Sequence, residues 1–186
     1  MSLVFLITYI IWLVSEVLLN RLLRSKGTDK QNADKNTLAI IWITVVAAIT
    51  LATLISIRFH IPIVEDPSIK YFGLGIMYLG IILRIAAVLS LGRMFTVDVT
   101  IREDHKLKQD GIYQFLRHPS YFASLLTFIG FGIALNNWLS LLLVTVAVLI
   151  VFKMRIDIEE RALIDQFGEE YLNYRKRVKG LIPFVW

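Results

Sequence analysis

Residues 121–152 read YFASLLTFIGFGIALNNWLSLLLVTVAVLIVF, two apolar segments of about 15 residues, roughly 22 Å of helix each. The polar pair Asn136-Asn137 joins them. So short a turn makes the two segments antiparallel and returns their outer ends to one side. Gly111-Ile112-Tyr113 and Arg117-His118-Pro119-Ser120-Tyr121 lie at one of those ends, and a charged cluster from Arg155 to Glu160 at the other. Ionisable groups near lipid cost a few kcal/mol each unless they face protein or water. The expected arrangement is a polar pocket at the membrane boundary where the clusters meet.

The rest of the chain supports a membrane setting. Of 186 residues, 56% are hydrophobic, and the mean hydropathy is +0.65, above the level of soluble domains. Apolar runs also fall at Leu3 to Leu19, Leu38 to Ile57 and Tyr71 to Leu91, each sufficient to cross a core of about 30 Å at 1.5 Å per residue. The expectation is an all-α polytopic membrane bundle of about five transmembrane helices with a C-terminal cytoplasmic helix. One domain, 1–186, is expected, with three transmembrane helices in 1–91 and a connector, helical hairpin and C-terminal helix in 92–186. The N-terminal run lacks a basic leader and a small-residue cleavage site, so a permanent first helix is expected.

Lys and Arg number five, two, five, none and seven in the successive segments between and after the runs. That alternation predicts five crossings with the N-terminus outside and both charged clusters facing the cytoplasm. The net charge of +5 therefore reflects membrane topology and argues against nucleic-acid binding. The absence of cysteine excludes a disulfide, a thiolate nucleophile and a cysteine metal site, and the scattered His60, His105 and His118 argue against a metal centre.

Several residues carry alternative readings. Pro119 suits the first turn of a helix, where its missing N–H has no partner to lose. Arg117 and His118 just before it serve either as a head-group anchor or as part of an anion site at a helix start. Tyr113 and Tyr121 suit either an interfacial aromatic belt or that same site. Arg155 and Glu159, four apart, share a helical face: either a solvated salt bridge, or a guanidinium that clamps a carboxylate beside an acidic acceptor. Ile156, Leu163 and Phe167 extend the fifth helix beyond the membrane, Gly168 is its C-cap, and a short helix from Glu169 to about Arg177 follows. Gly73, Gly75 and Gly80 lie within an apolar run and predict close helix packing rather than a phosphate loop. Glu16 and Arg84 fall within apolar runs; a mutual pair or snorkelling by Arg84 is expected, with a substrate contact as the alternative.

The set His105-Lys106-Leu107, Gly111-Ile112-Tyr113, Arg117-His118-Pro119-Ser120-Tyr121, Arg155, Glu159-Glu160, Phe167 to Tyr171, Tyr174 and Ile182-Pro183 resembles the isoprenylcysteine carboxyl methyltransferases, over residues 92–186. Ala123 departs from the pattern, where relatives often carry Gly. The resemblance implies a methyl group moved from S-adenosylmethionine to a lipophilic acceptor from the bilayer, most simply an isoprenylcysteine-like carboxylate. It implies cofactor contacts from His105, Lys106, Leu107, Gly111, Tyr113, Arg117, His118, Pro119 and Tyr121. It assigns Arg155 to orient the acceptor carboxylate, with Glu159 and Glu160 lining the catalytic site. Phospholipid methyltransferases and, more distantly, NADPH-dependent sterol reductases share parts of this tail, so a lipid reductase is the alternative enzyme and a membrane scaffold the non-enzymatic one. The setting implied is the cell membrane if the source is prokaryotic and the endoplasmic reticulum if eukaryotic. The natural acceptor and the oligomeric state stay open at this point.

Overall fold

A computed structural model describes residues 3–22, 37–92 and 107–181. Its helices are α1 (Leu3–Leu22), α2 (Thr37–Arg58), α3 (Ile69–Leu91), α4 (Pro119–Ala134), α5 (Trp138–Phe167) and α6 (Glu169–Arg177), with a 3₁₀ turn at Gly111–Gln114. Among the described residues, the one extended pairing is an isolated parallel bridge between Leu116 and Lys179. Of the helices, α2, α3 and α5 are long and apolar enough to cross a membrane, while α1 and α4 are apolar but carry shorter apolar stretches. Their outer faces suit lipid: Ile43 is 69% exposed and Leu89 72%.

The tightest seam lies between antiparallel α3 and α4. Gly73, Gly80 and Ala87 recur every seven residues on α3, which keeps them on one flank of the helix. A Cβ on Gly80 would collide with the Thr127 hydroxyl and lie 2.7 Å from the Ala123 carbonyl; one on Gly130 would lie 2.6 Å from the Gly73 carbonyl. Small residues let the backbones approach, as membrane helices commonly do. The packing expected of Gly73 and Gly80 is thus observed, whereas Gly75 faces open space. Ala123 is fully buried, with its backbone carbonyl against Gly80.

On the other flank α5 packs against α2, where Ser140 Oγ donates to the Ala52 carbonyl at 2.6 Å beside the fully buried Val144 and Val148. Helix α1 lays Phe5 against Phe131 and Trp12 against Phe128 of α4.

The hairpin follows the sequence closely. Asn136 takes a positive φ of 48°, and Asn137 caps α5 by accepting from the Ser140 amide at 3.0 Å. Helix α5 then runs unbroken for 30 residues, about 45 Å, which exceeds a bilayer core by several turns. Its wet extension ends at Gly168 with φ 51°, a left-handed value that suits glycine.

Candidate functional site

The antiparallel hairpin brings the two charged clusters together. Arg117 closes on Glu160, with Nε 2.9 Å and Nη2 2.7 Å from Oε1. Its other amino group donates to the carbonyls of Arg175, at 3.2 Å, and Val178. His118 points its two ring nitrogens at two carboxylates, Nε2 at 3.2 Å from Glu160 Oε1 and Nδ1 at 3.9 Å from Glu159 Oε2. Arg175 Nε reaches the second Glu160 oxygen at 3.3 Å. Glu160 therefore joins three cationic or hydrogen-bonding side chains from two segments, the start of α4 and α6. The arrangement is buried, with His118 4% and Glu160 6% exposed, where charged hydrogen bonds are strong but intolerant of a missing partner.

Backbone pairing fixes the same junction. The Arg117 amide donates to the Lys179 carbonyl at 2.8 Å and the His118 amide to the Gly180 carbonyl at 3.0 Å. The chain after α6 thus lies as a strap across the start of α4, and fully buried Leu181 anchors it in the core. Pro119 occupies the first turn of α4 as expected; a proline there gives up no intrahelical bond.

The phenols tie the 3₁₀ turn to both neighbours. Tyr113 is buried rather than interfacial: its hydroxyl donates to the Ala87 carbonyl at 3.3 Å, and its own carbonyl accepts from the Tyr174 hydroxyl. Burial pushes Tyr174 up to about 12 and raises Tyr113 and Tyr171 further, so all three are neutral O–H donors at neutral pH. The Tyr171 hydroxyl is buried without a hydrogen bond of good geometry, although it lies near enough for Glu160 to act on it. Gln109 bridges Glu170 and Arg177, both at 3.0 Å.

Arg155 and Glu159 border this knot on the α2 side. Arg155 is 3% exposed and donates to the Thr37 hydroxyl at the start of α2, with Glu159 one turn along α5 close enough to act on its charge. The Tyr121 hydroxyl lies close enough to Glu159 for the carboxylate to act on it, and the Tyr121 ring packs edge-on against His118 and Phe152, with centroids at 5.8 and 5.2 Å. Glu159 keeps 35% of its side chain exposed, a carboxylate with capacity to spare beside a buried guanidinium.

Of the residues singled out in the sequence, Arg117, His118, Pro119, Tyr121, Tyr113, Arg155, Glu159 and Glu160 gather at one end of the α4–α5 hairpin. Gly111 opens the 3₁₀ turn with φ 60°, and Leu107 lies in the coil before it, partly buried. His105, Lys106 and Ile182-Pro183 fall outside the described residues. Sequence reading missed Arg175, Thr37 and the Lys179-Gly180 strap. Nothing in their local pattern marks them: Thr37 and the strap are recruited across more than fifty residues, and Arg175 reaches Glu160 from the following helix.

The isoprenylcysteine carboxyl methyltransferase (ICMT) family model matches residues 73–165. Protein-S-isoprenylcysteine O-methyltransferase B of Arabidopsis thaliana is 41% identical over 144 residues, 73% of each chain. The Schizosaccharomyces pombe protein-S-isoprenylcysteine O-methyltransferase is 38% identical over 115 residues, covering 61% of this chain and 49% of its own length. A solved structure of a eukaryotic intramembrane Ras methyltransferase ICMT superposes with a TM-score of 0.62 at 31% identity, covering 81% of this chain and 53% of that one.

Proposed function

The chain belongs to the isoprenylcysteine carboxyl methyltransferase family, and from that premise we propose that it moves a methyl group from S-adenosylmethionine to the carboxylate of a lipophilic, isoprenylcysteine-like acceptor. The observation that carries this reading is the meeting of Arg155 and Glu159 with the Arg117–His118–Glu160 knot at one end of an integral membrane hairpin. With the Lys and Arg distribution, the reading places five crossings in the membrane, the N-terminus outside and the site toward the cytoplasm.

The residues fit a cationic donor. Glu159, partly exposed beside the His118 and Tyr121 rings, complements a positive charge, and the Tyr171 hydroxyl retains hydrogen-bonding capacity. Leu107, Gly111, Tyr113, Arg117, His118, Pro119 and Tyr121 form the donor side, with His105 and Lys106 assigned there by family resemblance. Bound S-adenosylmethionine supplies an electrophilic methyl on a sulfonium.

The acceptor carboxylate, with an ordinary pKa near 4, is ionised at neutral pH and needs no general base. One of its oxygens forms the new O–C bond as the S–C bond breaks, so no proton changes hands. Arg155 holds the other oxygen, which orients the nucleophile and keeps it near attack geometry. The low-dielectric wall of α4 and α5 strips water from the carboxylate. Glu160 acts at one remove, setting Arg117 and His118 in place.

The test is transfer of labelled methyl from S-adenosylmethionine to prenylcysteine analogues and to a lipid extract. A base-labile methyl ester on the prenylcysteine analogue is expected. Label found solely on lipid amines rejects the carboxylate acceptor, and no label on either rejects methyl transfer.

A further inference from the structure

One charged group inside the bundle has no part in the chemistry above. Arg84, near the C-terminal end of α3, spreads its guanidinium between two other helices. Nη2 donates to Glu16 Oε2 of α1 at 2.9 Å, and Nε pairs with the other Glu16 oxygen off the hydrogen-bond line. Nη1 donates to Ser120 of α4 twice, to the hydroxyl at 2.7 Å and to the carbonyl at 3.3 Å. The side chains of Arg84 and Glu16 are 19% and 9% exposed, and Ser120 is 7% exposed.

The placement is electrostatically unusual. The N-terminal turn of a helix carries partial positive charge, so a cation there is opposed. Glu16 offsets the charge, and together the pair delivers a rigid two-pronged donor to a neutral serine. Ser120 lies between His118 and Tyr121, whose rings meet in a T-shaped contact with centroids 5.8 Å apart. Its hydroxyl and carbonyl fix the backbone from which both rings project.

We propose that Arg84 is a positioning residue: held by Glu16, it pins Ser120 and so aims His118 and Tyr121 at the methyl donor. This rests on the donor site described under Proposed function. Misplacement of a binding group by about 1 Å is worth up to about a hundredfold in rate, and a lysine, a single point charge on a flexible stem, cannot hold Glu16 and both Ser120 oxygens at once.

The experiment measures binding of S-adenosylhomocysteine by calorimetry, and Tm, on the full-length chain purified in detergent. The unaltered chain comes first: if it binds neither S-adenosylmethionine nor S-adenosylhomocysteine, the donor-site reading itself fails and this proposal falls with it. Given binding, Arg84→Gln is expected to weaken Kd about tenfold or more and to lower Tm, because it removes the guanidinium that both Glu16 oxygens face. The Glu16→Gln/Arg84→Gln double variant removes both charges and is expected to recover Tm while Kd stays weakened, since the guanidinium's hold on Ser120 is still missing. Ser120→Ala, which keeps both charges and loses one acceptor, is expected to weaken Kd a few-fold at unchanged Tm. Arg84→Lys should fall between Arg84→Gln and the unaltered chain in Kd. A double variant that regains both Tm and Kd, or a Ser120→Ala chain with unaltered Kd, overturns the proposal and leaves the ion pair as a tether for α1.

Discussion

The two ends of the α4–α5 hairpin solve the same problem, joining helices across polar backbone, with opposite chemistry. At the turn, neutral amides do the work. Asn136 Oδ1 accepts from the amides of Ile63 and Val64 at 3.0 and 3.2 Å, and its Nδ2 returns a bond to the Val64 carbonyl at 2.8 Å. Asn137 donates to the Phe59 carbonyl at 2.6 Å while capping α5. Both amide ends are matched by backbone groups, which leaves a closed junction. At the other end, Arg117, His118, Glu159, Glu160 and Arg175 form an ionic junction with capacity left over, since Glu159 keeps 35% of its side chain exposed and Arg175 49%. A neutral clamp satisfies itself. An ionic one of long side chains keeps groups that a ligand can engage.

If that contrast is sound, damage to the ionic end reaches activity and damage to the amide end does not. The largest effect is expected from Glu160→Gln, which keeps the shape but removes the charge that unites Arg117, His118 and Arg175. Breaking a buried ion pair costs about 3 kcal/mol or more, so a large fall in Tm accompanied by loss of turnover is predicted. Retained Tm would move Glu160 from the frame of the site to its surface. Next comes Arg155→Ala, whose side chain contacts Thr37 at the start of α2. Turnover should fall about a hundredfold, as for a lost orienting group, while binding of S-adenosylhomocysteine persists; unchanged turnover would remove Arg155 from the acceptor side.

The two ends also differed in how far the sequence disclosed them. The hairpin, the placement of Pro119, the run of α5 past the membrane and its stop at Gly168 were all legible, because each follows from local pattern: apolar length, helical spacing, a fixed φ or a positive one. The pairing of Glu16 with Arg84 was legible only in part, since two isolated charges inside apolar runs are satisfied either by each other or by snorkelling, and the sequence left both open. Docking of Asn136 and Asn137 onto residues 59–64 was not, because an asparagine pair between helices reads as a turn whatever it touches. The clasp of Arg175, Lys179 and Gly180 on the start of α4 was equally hidden. Its partners are about 60 residues apart, and a basic C-terminal segment carries no periodicity that says which carbonyls it will meet.

A smaller effect is expected at the amide end. Asn137→Ala removes the N-cap of α5 and one of the two donors to the Phe59 carbonyl, which also accepts from the Ile61 amide at 3.2 Å. Loss of a cap costs about 1 kcal/mol, and the carbonyl keeps a partner. Tm should fall by the equivalent of about 1 kcal/mol with kcat unchanged once the protein is folded. A drop in kcat would mean that the far turn is coupled to the site through α5, and the separation of the two ends would not stand.

The smallest effect tests whether charge or position distinguishes the ionic end. Lys153 pairs with Asp157 four residues on, with side chains 47% and 42% exposed. Exposed pairs of this kind contribute about 0.5 kcal/mol or less. Lys153 lies two residues from Arg155, which at 3.6 residues per turn places it about 200° round the helix, on the face turned away from Thr37 and Tyr121. Lys153→Met is therefore predicted to leave Tm and turnover within error of the unaltered chain, while Arg155→Ala, half a turn away and of the same sign, abolishes most turnover. Equal losses from both would show that the positive charges at this end act as a collective field on the substrate, so that the ionic junction works by its total charge and the particular reach of Arg155 adds little.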